Sequence, residues 1–116
     1  MMKSGNSFVE RKLKVIRNVI LDVAEKHGIR IEKIILFGSR ARGDYREESD
    51  WDILIVTRKR LDKNVKNRFV LEIRREIVWK LEDPIDVIVA DRNKYNEYEQ
   101  VYGSVIGQAA SEGVAV

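Results

Sequence analysis

Gly38 and Ser39 stand together at the end of one apolar run, and ten residues later Asp50 and Asp52 flank Trp51 at the start of another. A third carboxylate, Asp86, opens a further apolar stretch, Ile85-Asp86-Val87-Ile88-Val89. Carboxylates at i and i+2 of an extended strand point to one face, roughly 6.5 Å apart. At an effective dielectric of about 20 such a pair repels by on the order of 2 to 3 kcal/mol, and Asp86 on a neighbouring strand would add to this. Oxygen-only ligands gathered in this way suit a hard dication, Mg²⁺ or Mn²⁺, that keeps several waters and bridges to substrate phosphates. Two such ions sharing carboxylates activate an attacking hydroxyl and steady a departing pyrophosphate. Gly38 lets the backbone approach a phosphate closely, while Ser39 offers a hydroxyl and a backbone N–H. Arg40, Arg42 and Arg46 lie in the same loop and carry the charge to neutralise a triphosphate.

Composition removes most competing chemistries. The chain has no cysteine, which excludes disulfides, thiolate zinc sites and a cysteine nucleophile, and its single histidine, His27, rules out a His-rich metal site. At 116 residues, 44% hydrophobic and 35% charged, it reads as one domain over 1–116. No apolar run approaches the ~20 residues of a spanning helix. The opening MMKSGNSFVERK lacks the apolar core of a signal peptide, so a cytoplasmic protein without membrane contact is expected. A net charge of +3, from 22 Lys+Arg and 19 Asp+Glu, is too small a bias to indicate direct nucleic-acid binding.

The elements that must position these groups follow from periodicity. Leu13, Ile16, Val19, Ile20, Val23 and Ala24 predict a helix over 8–26, stopped by Gly28. Strands are predicted at 33–37 and 50–57, the second with Trp51, Ile53 and Ile55 on one face and Asp50, Asp52, Leu54 and Val56 on the other. A long helix over 62–82 carries the stripe Val65, Phe69, Val70, Ile73, Ile77, Val78 and Leu81 and ends before Pro84. A third strand over 85–90 and a last helix from Asn93, fading toward Gly107 or Glu112, complete an α-β-turn-β-α-β-α order. The polar stretch between the first two strands has no room for a crossover helix, so they should pair antiparallel. The second and third, joined through a helix, should be parallel. That topology brings Gly38-Ser39, Asp50, Asp52 and Asp86 to one rim of the sheet.

Four further features read as structural. Tyr95, Tyr98 and Tyr102, at i, i+3 and i+7, suggest helix packing. Arg58-Lys59-Arg60 follows the far end of a strand and reads as a solvated turn. His27 beside Gly28 is expected to meet the helix C-terminus. Trp51, between the two aspartates, should turn away from them into a helix-covered layer.

The spacing Gly38-Ser39, ten residues, Asp50-Trp51-Asp52 resembles the signature of the DNA polymerase β-like nucleotidyltransferase superfamily. The fuller stretch LFGSRARGDYREESDWDILIV resembles its smallest branch, the minimal nucleotidyltransferases (MNT), over nearly the whole chain. The tail SEGVAV is similar to the closing segment of that branch. The resemblance implies an α+β nucleotidyltransferase fold, a small mixed β-sheet packed with helices. It implies metal-holding and catalytic roles for Asp50, Asp52 and Asp86, with Asp86 deprotonating or orienting the acceptor hydroxyl. Gly38 and Ser39 would grip the terminal phosphates, with Arg40 and Arg42 among the nucleotide-binding residues. It further implies ATP as substrate and two Mg²⁺ or Mn²⁺ ions. MNT proteins of this size commonly pair with a HEPN-domain protein, a helical ribonuclease toxin, and act as antitoxins by transferring AMP from ATP to a toxin tyrosine. A chain with no residues to spare for an acceptor-binding domain fits an acceptor that arrives as a partner, in a homo- or hetero-oligomer. Two alternatives stand beside this reading: a small-molecule acceptor held between protomers, and a non-catalytic antitoxin acting by binding. Trp51 departs from the smaller aliphatic residue that the family more often carries between its aspartates.

Overall fold

Two apolar runs separated by a short polar stretch pair as neighbours. β1 (Ile31–Phe37) and β2 (Trp51–Thr57) lie antiparallel, in a register that runs from Ile31 opposite Thr57 to Phe37 opposite Asp52. In this computed structural model, which describes residues 4–116 with side chains from Phe8 onward, the polar stretch between them holds one short helix, α2 (Ser39–Arg42). After α3 (Lys63–Leu81), β3 (Ile85–Asp91) joins β2 in parallel, with Asp52 opposite Asp86. α1 (Ser4–Lys26) precedes β1 and starts at Ser4 where periodicity placed the start at Phe8.

Both faces of the sheet are covered, so β2 is apolar almost throughout. On one face Ile34, Leu36, Trp51, Ile53, Ile55, Ile85 and Val87 meet Ile16, Val19, Ile20 and Val23 of α1 and Phe69, Ile73 and Ile77 of α3. On the other, Ile35, Phe37, Leu54, Val56 and Ala90 meet Tyr95, Ile106 and Ala109. Each fully buried Ile, Leu or Phe contributes roughly 1.5 to 3 kcal/mol, so these two layers hold the rim's geometry. Trp51 turns into the α1/α3 layer as its alternation requires, fully buried, its Nε1–H donating to Asp83 Oδ2 at 3.1 Å. Lys12 pairs with the same carboxylate at 2.7 Å, which ties α1 to the strand start.

α3 begins on Asp62, whose side chain accepts from the Asn64 N–H at 3.1 Å. It ends at Leu81, where Glu82 takes a left-handed conformation (φ 57°) ahead of Pro84. His27 pairs across helices rather than with its own helix end: Nε2 lies 2.9 Å from Glu72 Oε1 on α3, beside the Lys26–Glu72 ion pair.

The segment after β3 departs from the expected single helix. It divides into α4 (Arg92–Tyr98) and α5 (Val105–Glu112), separated by a turn containing Gly103 at φ +89°. Ser104 caps α5 by accepting from the Gly107 N–H at 2.9 Å. The tyrosines therefore share no common face. Tyr95 is buried in the second layer, Tyr98 is exposed at the end of α4, and Tyr102 stands fully exposed in the turn. A fourth strand was also missed. β4 (Val114–Ala115) adds antiparallel to the free edge of β1, with Val114 opposite Leu36, giving the order β3-β2-β1-β4.

Candidate active site

β1 ends and β2 begins at the same rim, and β3, parallel to β2, begins there too. Gly38, at φ 78° and ψ −159°, turns the chain out of β1, and its carbonyl accepts from the Ala41 and Arg42 N–H groups at 3.0 Å each. A β-carbon at this position would lie 2.2 Å from Asp52 Oδ2. The Asp52 carboxylate thus rests on the bare backbone of the turn, and only glycine leaves room for it. Ser39 follows half-exposed, its hydroxyl without a partner among the described residues.

Asp52 and Asp86 face each other across the parallel ladder on the same side of the sheet. Asp50, just ahead of β2, is exposed. Burial raises the Asp52 carboxyl above the ordinary aspartate range. The charges of Asp86, Asp50 and Glu112 push it the same way, and Arg42 opposes them. Asp86 is half-exposed and accepts from Arg74 Nη2 at 3.2 Å, a contact that reaches around the free edge of β3 from α3. An exposed ion pair of this kind is worth at most about 1 kcal/mol and leaves the carboxylate available.

Of the three arginines expected at the phosphates, Arg40 and Arg42 part company. Arg42 stands at the rim, exposed, between Asp44 at 3.3 Å and Glu112 at 3.2 Å. Arg40 is 7% exposed and turned to the opposite side of the loop. It stacks between Trp51 (4.3 Å to the ring centre) and Tyr45 (4.8 Å), and donates to the carbonyls of Glu47 at 3.1 Å and Ser49 at 2.8 Å. Arg40 therefore shapes the loop and does not face the rim. Arg46 closes the turn through its backbone, its N–H donating to Ser49 Oγ at 2.8 Å.

Sequence reasoning missed Glu112 altogether. Its Oε2 accepts from the Gly38 N–H at 2.8 Å, beside Arg42. The nearest signal was the tail that carries it, Ser111-Glu112-Gly113-Val114. At the opposite end of the sheet, Arg58, Lys59 and Arg60 are exposed as expected, and Lys63, Lys66 and Lys94 join them around one open concavity of about 960 Å³.

Among the described residues no three acidic or histidine side chains close into a ready-made cation cage. Mg²⁺ seldom uses one. It binds through one or two carboxylates and completes its shell with water and substrate phosphates. The oxygen-only donor set at this rim fits such an ion, and so do the like charges of Asp86 and Asp50, which add to burial in raising the Asp52 carboxyl.

Among the described residues no helix is long and apolar enough to cross a membrane. Residues 16–116 match the family of the nucleotidyltransferase domain. A protein of Methanocaldococcus jannaschii, provisionally named a protein adenylyltransferase, is 39% identical over 84 residues, 72% of this chain and 78% of that one. A crystal structure of a provisionally named nucleotidyltransferase from Sulfolobus solfataricus superposes with a TM-score of 0.57 at 24% identity, covering 99% of this chain and 90% of that one. The crystal structure of a toxin-antitoxin with AMP-PNP superposes with a TM-score of 0.56 at 20% identity, over 84% of this chain and 69% of that one. On the extent of the family match and the archaeal relative, the chain belongs to the nucleotidyltransferase domain family.

Proposed function

We propose that this enzyme transfers AMP from ATP to a hydroxyl of a partner protein, a tyrosine of a HEPN ribonuclease toxin, and so acts as an antitoxin in the cytoplasm. The observation that carries the reading is the seating of Asp52 on Gly38 with Asp86 in register beside it. Read as a base, a phosphate-accepting turn and a carboxylate pair on one open rim, these groups support the proposal. The archaeal relative's name supports a protein acceptor. The toxin-antitoxin structure with AMP-PNP shares the fold, and the MNT-like motif adds the HEPN partner.

In the reaction the acceptor oxygen attacks the α-phosphorus of ATP, the bond to the β-phosphate oxygen breaks, and pyrophosphate leaves with that electron pair. Asp86, half-exposed at the edge strand, accepts the hydroxyl proton as the new P–O bond forms. Asp50 and Asp52, with Asp86, would hold the divalent ions, whose charge stabilises the attacking and departing oxygens when bound. The Ser39 hydroxyl and Arg42 bind the terminal phosphates, and the glycine turn allows them close to the backbone. Arg40 contributes by holding the loop carbonyls.

The test is transfer of label from α-labelled ATP to a co-expressed HEPN protein with Mg²⁺ or Mn²⁺. Asp86→Asn should slow transfer by on the order of a hundredfold or more. Label appearing only on small molecules would replace the protein acceptor by a metabolite. Toxin neutralisation that survives Asp52→Asn would make the protein a binding module.

A further inference from the structure

Glu112 is a fourth carboxylate at a rim that already crowds three, and on charge alone it is out of place. The chain takes specific steps to bring it there. It ends α5, and Gly113 then passes so close to β1 that a β-carbon would meet Ile35 Cγ2 and Ala109 O at 2.3 Å each. Val114 and Ala115 pair with Leu36 and Ile35, and the Val116 N–H donates to Ile34 O at 2.9 Å. Two residues of strand thereby lock the glutamate beside the end of β1.

Once there, its carboxylate is fully engaged. Oε2 accepts from the Gly38 N–H at 2.8 Å, from Gln108 Nε2 at 3.1 Å and from Arg42 Nη1 at 3.2 Å, while Oε1 lies 3.4 Å from the same Arg42 nitrogen. These donors, the Gly38 N–H foremost, hold its carboxyl below the ordinary glutamate range. Gly38 has the wide backbone freedom of a glycine, and among the described residues the Arg42 guanidinium is otherwise held only by exposed Asp44. One side chain therefore restrains both the turn on which Asp52 rests and the arginine that faces the phosphates.

We infer that Glu112 is a positioning residue for ATP, holding Gly38 and Arg42 in the arrangement that receives the terminal phosphates. The inference rests on the nucleotidyltransferase reading of this rim and adds a residue from the far end of the chain. Because it concerns nucleotide binding, it stands apart from the identity of the acceptor.

Calorimetric titration of AMP-PNP with Mg²⁺ into the purified protein, alongside steady-state transfer, tests it. Charge-assisted hydrogen bonds of this kind correspond to roughly tenfold to a hundredfold in an equilibrium constant. Glu112→Ala should weaken AMP-PNP and raise the ATP KM by about tenfold or more, with a smaller fall in kcat. Glu112→Gln keeps an acceptor for the Gly38 N–H and should recover most of that affinity. Gln108→Ala, which removes only the outer donor, should change it by about twofold at most. Unchanged AMP-PNP affinity in Glu112→Ala would overturn the inference. Tighter binding would also overturn it, by making the carboxylate a competitor for the phosphates. If Glu112→Ala fails to fold, Glu112→Gln decides, since wild-type affinity supports the inference and affinity as low as that of Arg42→Ala refutes it. Loss of transfer to a HEPN protein in the wild type, with AMP-PNP binding intact, would count against the proposed acceptor and not against Glu112.

Discussion

Replacing Gly38 by alanine adds one methyl group where the structure has no room for it. Two costs follow. The backbone at φ 78° and ψ −159° lies in a region that essentially only glycine occupies, a penalty of about 1 to 3 kcal/mol. The new β-carbon would also fall 2.2 Å from Asp52 Oδ2, so the carboxylate must retreat by about 1 Å to reach an ordinary contact. Together these give about 2 to 4 kcal/mol of destabilisation and a Tm lower by roughly 8 to 16 °C for a domain of this size. A displacement near 1 Å at a reacting centre costs on the order of a hundredfold in rate. Gly28→Ala is the matched control. Gly28 also has positive φ (+68°), but nothing lies within 4 Å of its would-be β-carbon. It should lose about 1 kcal/mol of stability and no activity. Thermal denaturation and AMP transfer, both measured well below the lower Tm, separate the two effects. Gly38→Ala with stability and rate both within twofold of Gly28→Ala would refute the claim that the turn and Asp52 are in mutual contact.

Asp52→Asn should abolish transfer yet raise the Tm of the metal-free protein at neutral pH. With the folded carboxyl raised above its ordinary value, the native state binds more protons than the unfolded state between those two values. Stability therefore falls as pH rises through that window, and the cost persists at pH 7. Scans from pH 3 to 8 should show that fall in the wild type and a shallower one in the variant, and Mg²⁺ with AMP-PNP should raise only the wild-type Tm substantially. Arg40→Ala should lower stability by about 2 to 4 kcal/mol through two abandoned carbonyls and a lost stack on Trp51, measured by denaturant unfolding. Arg42→Ala should leave stability within about 0.5 kcal/mol and raise the ATP KM in a transfer assay. Glu82→Gly relieves a left-handed glutamate at the end of α3 and should raise stability by about 1 kcal/mol, a Tm gain of roughly 4 °C by calorimetry.

The rim was legible because two rules with few exceptions combine there. Alternation along a strand assigned Asp52, Leu54 and Val56 to one face and Trp51, Ile53 and Ile55 to the other, and both assignments agree with the two buried layers. Connection length then set the strand directions, which placed the Gly38 turn and the start of β3 at one end. The features that escaped notice lack periodicity. Arg40 lies in a four-residue helix, too short for periodicity to say which way a side chain turns. β4 is two residues long, below any repeat that pattern could detect. The tyrosine spacing imitated a helix through a turn at Gly103 that only its positive φ reveals. The contacts of His27 with Glu72 and of Glu112 with Gly38 join residues that only tertiary packing brings together.

The seam between β2 and β3 also sets an order of events during synthesis. A growing chain produces the glycine turn and Asp52 together, but Asp86 emerges only after the whole of α3 has been made. Until the third strand docks, the edge of β2 that later receives it is open and apolar, a surface that invites pairing with other nascent chains. Under the proposed role of Asp86, the ability to consume nucleotide arrives late, at the moment this hazard is closed, and a chain stalled before β3 should be both inert and prone to aggregate.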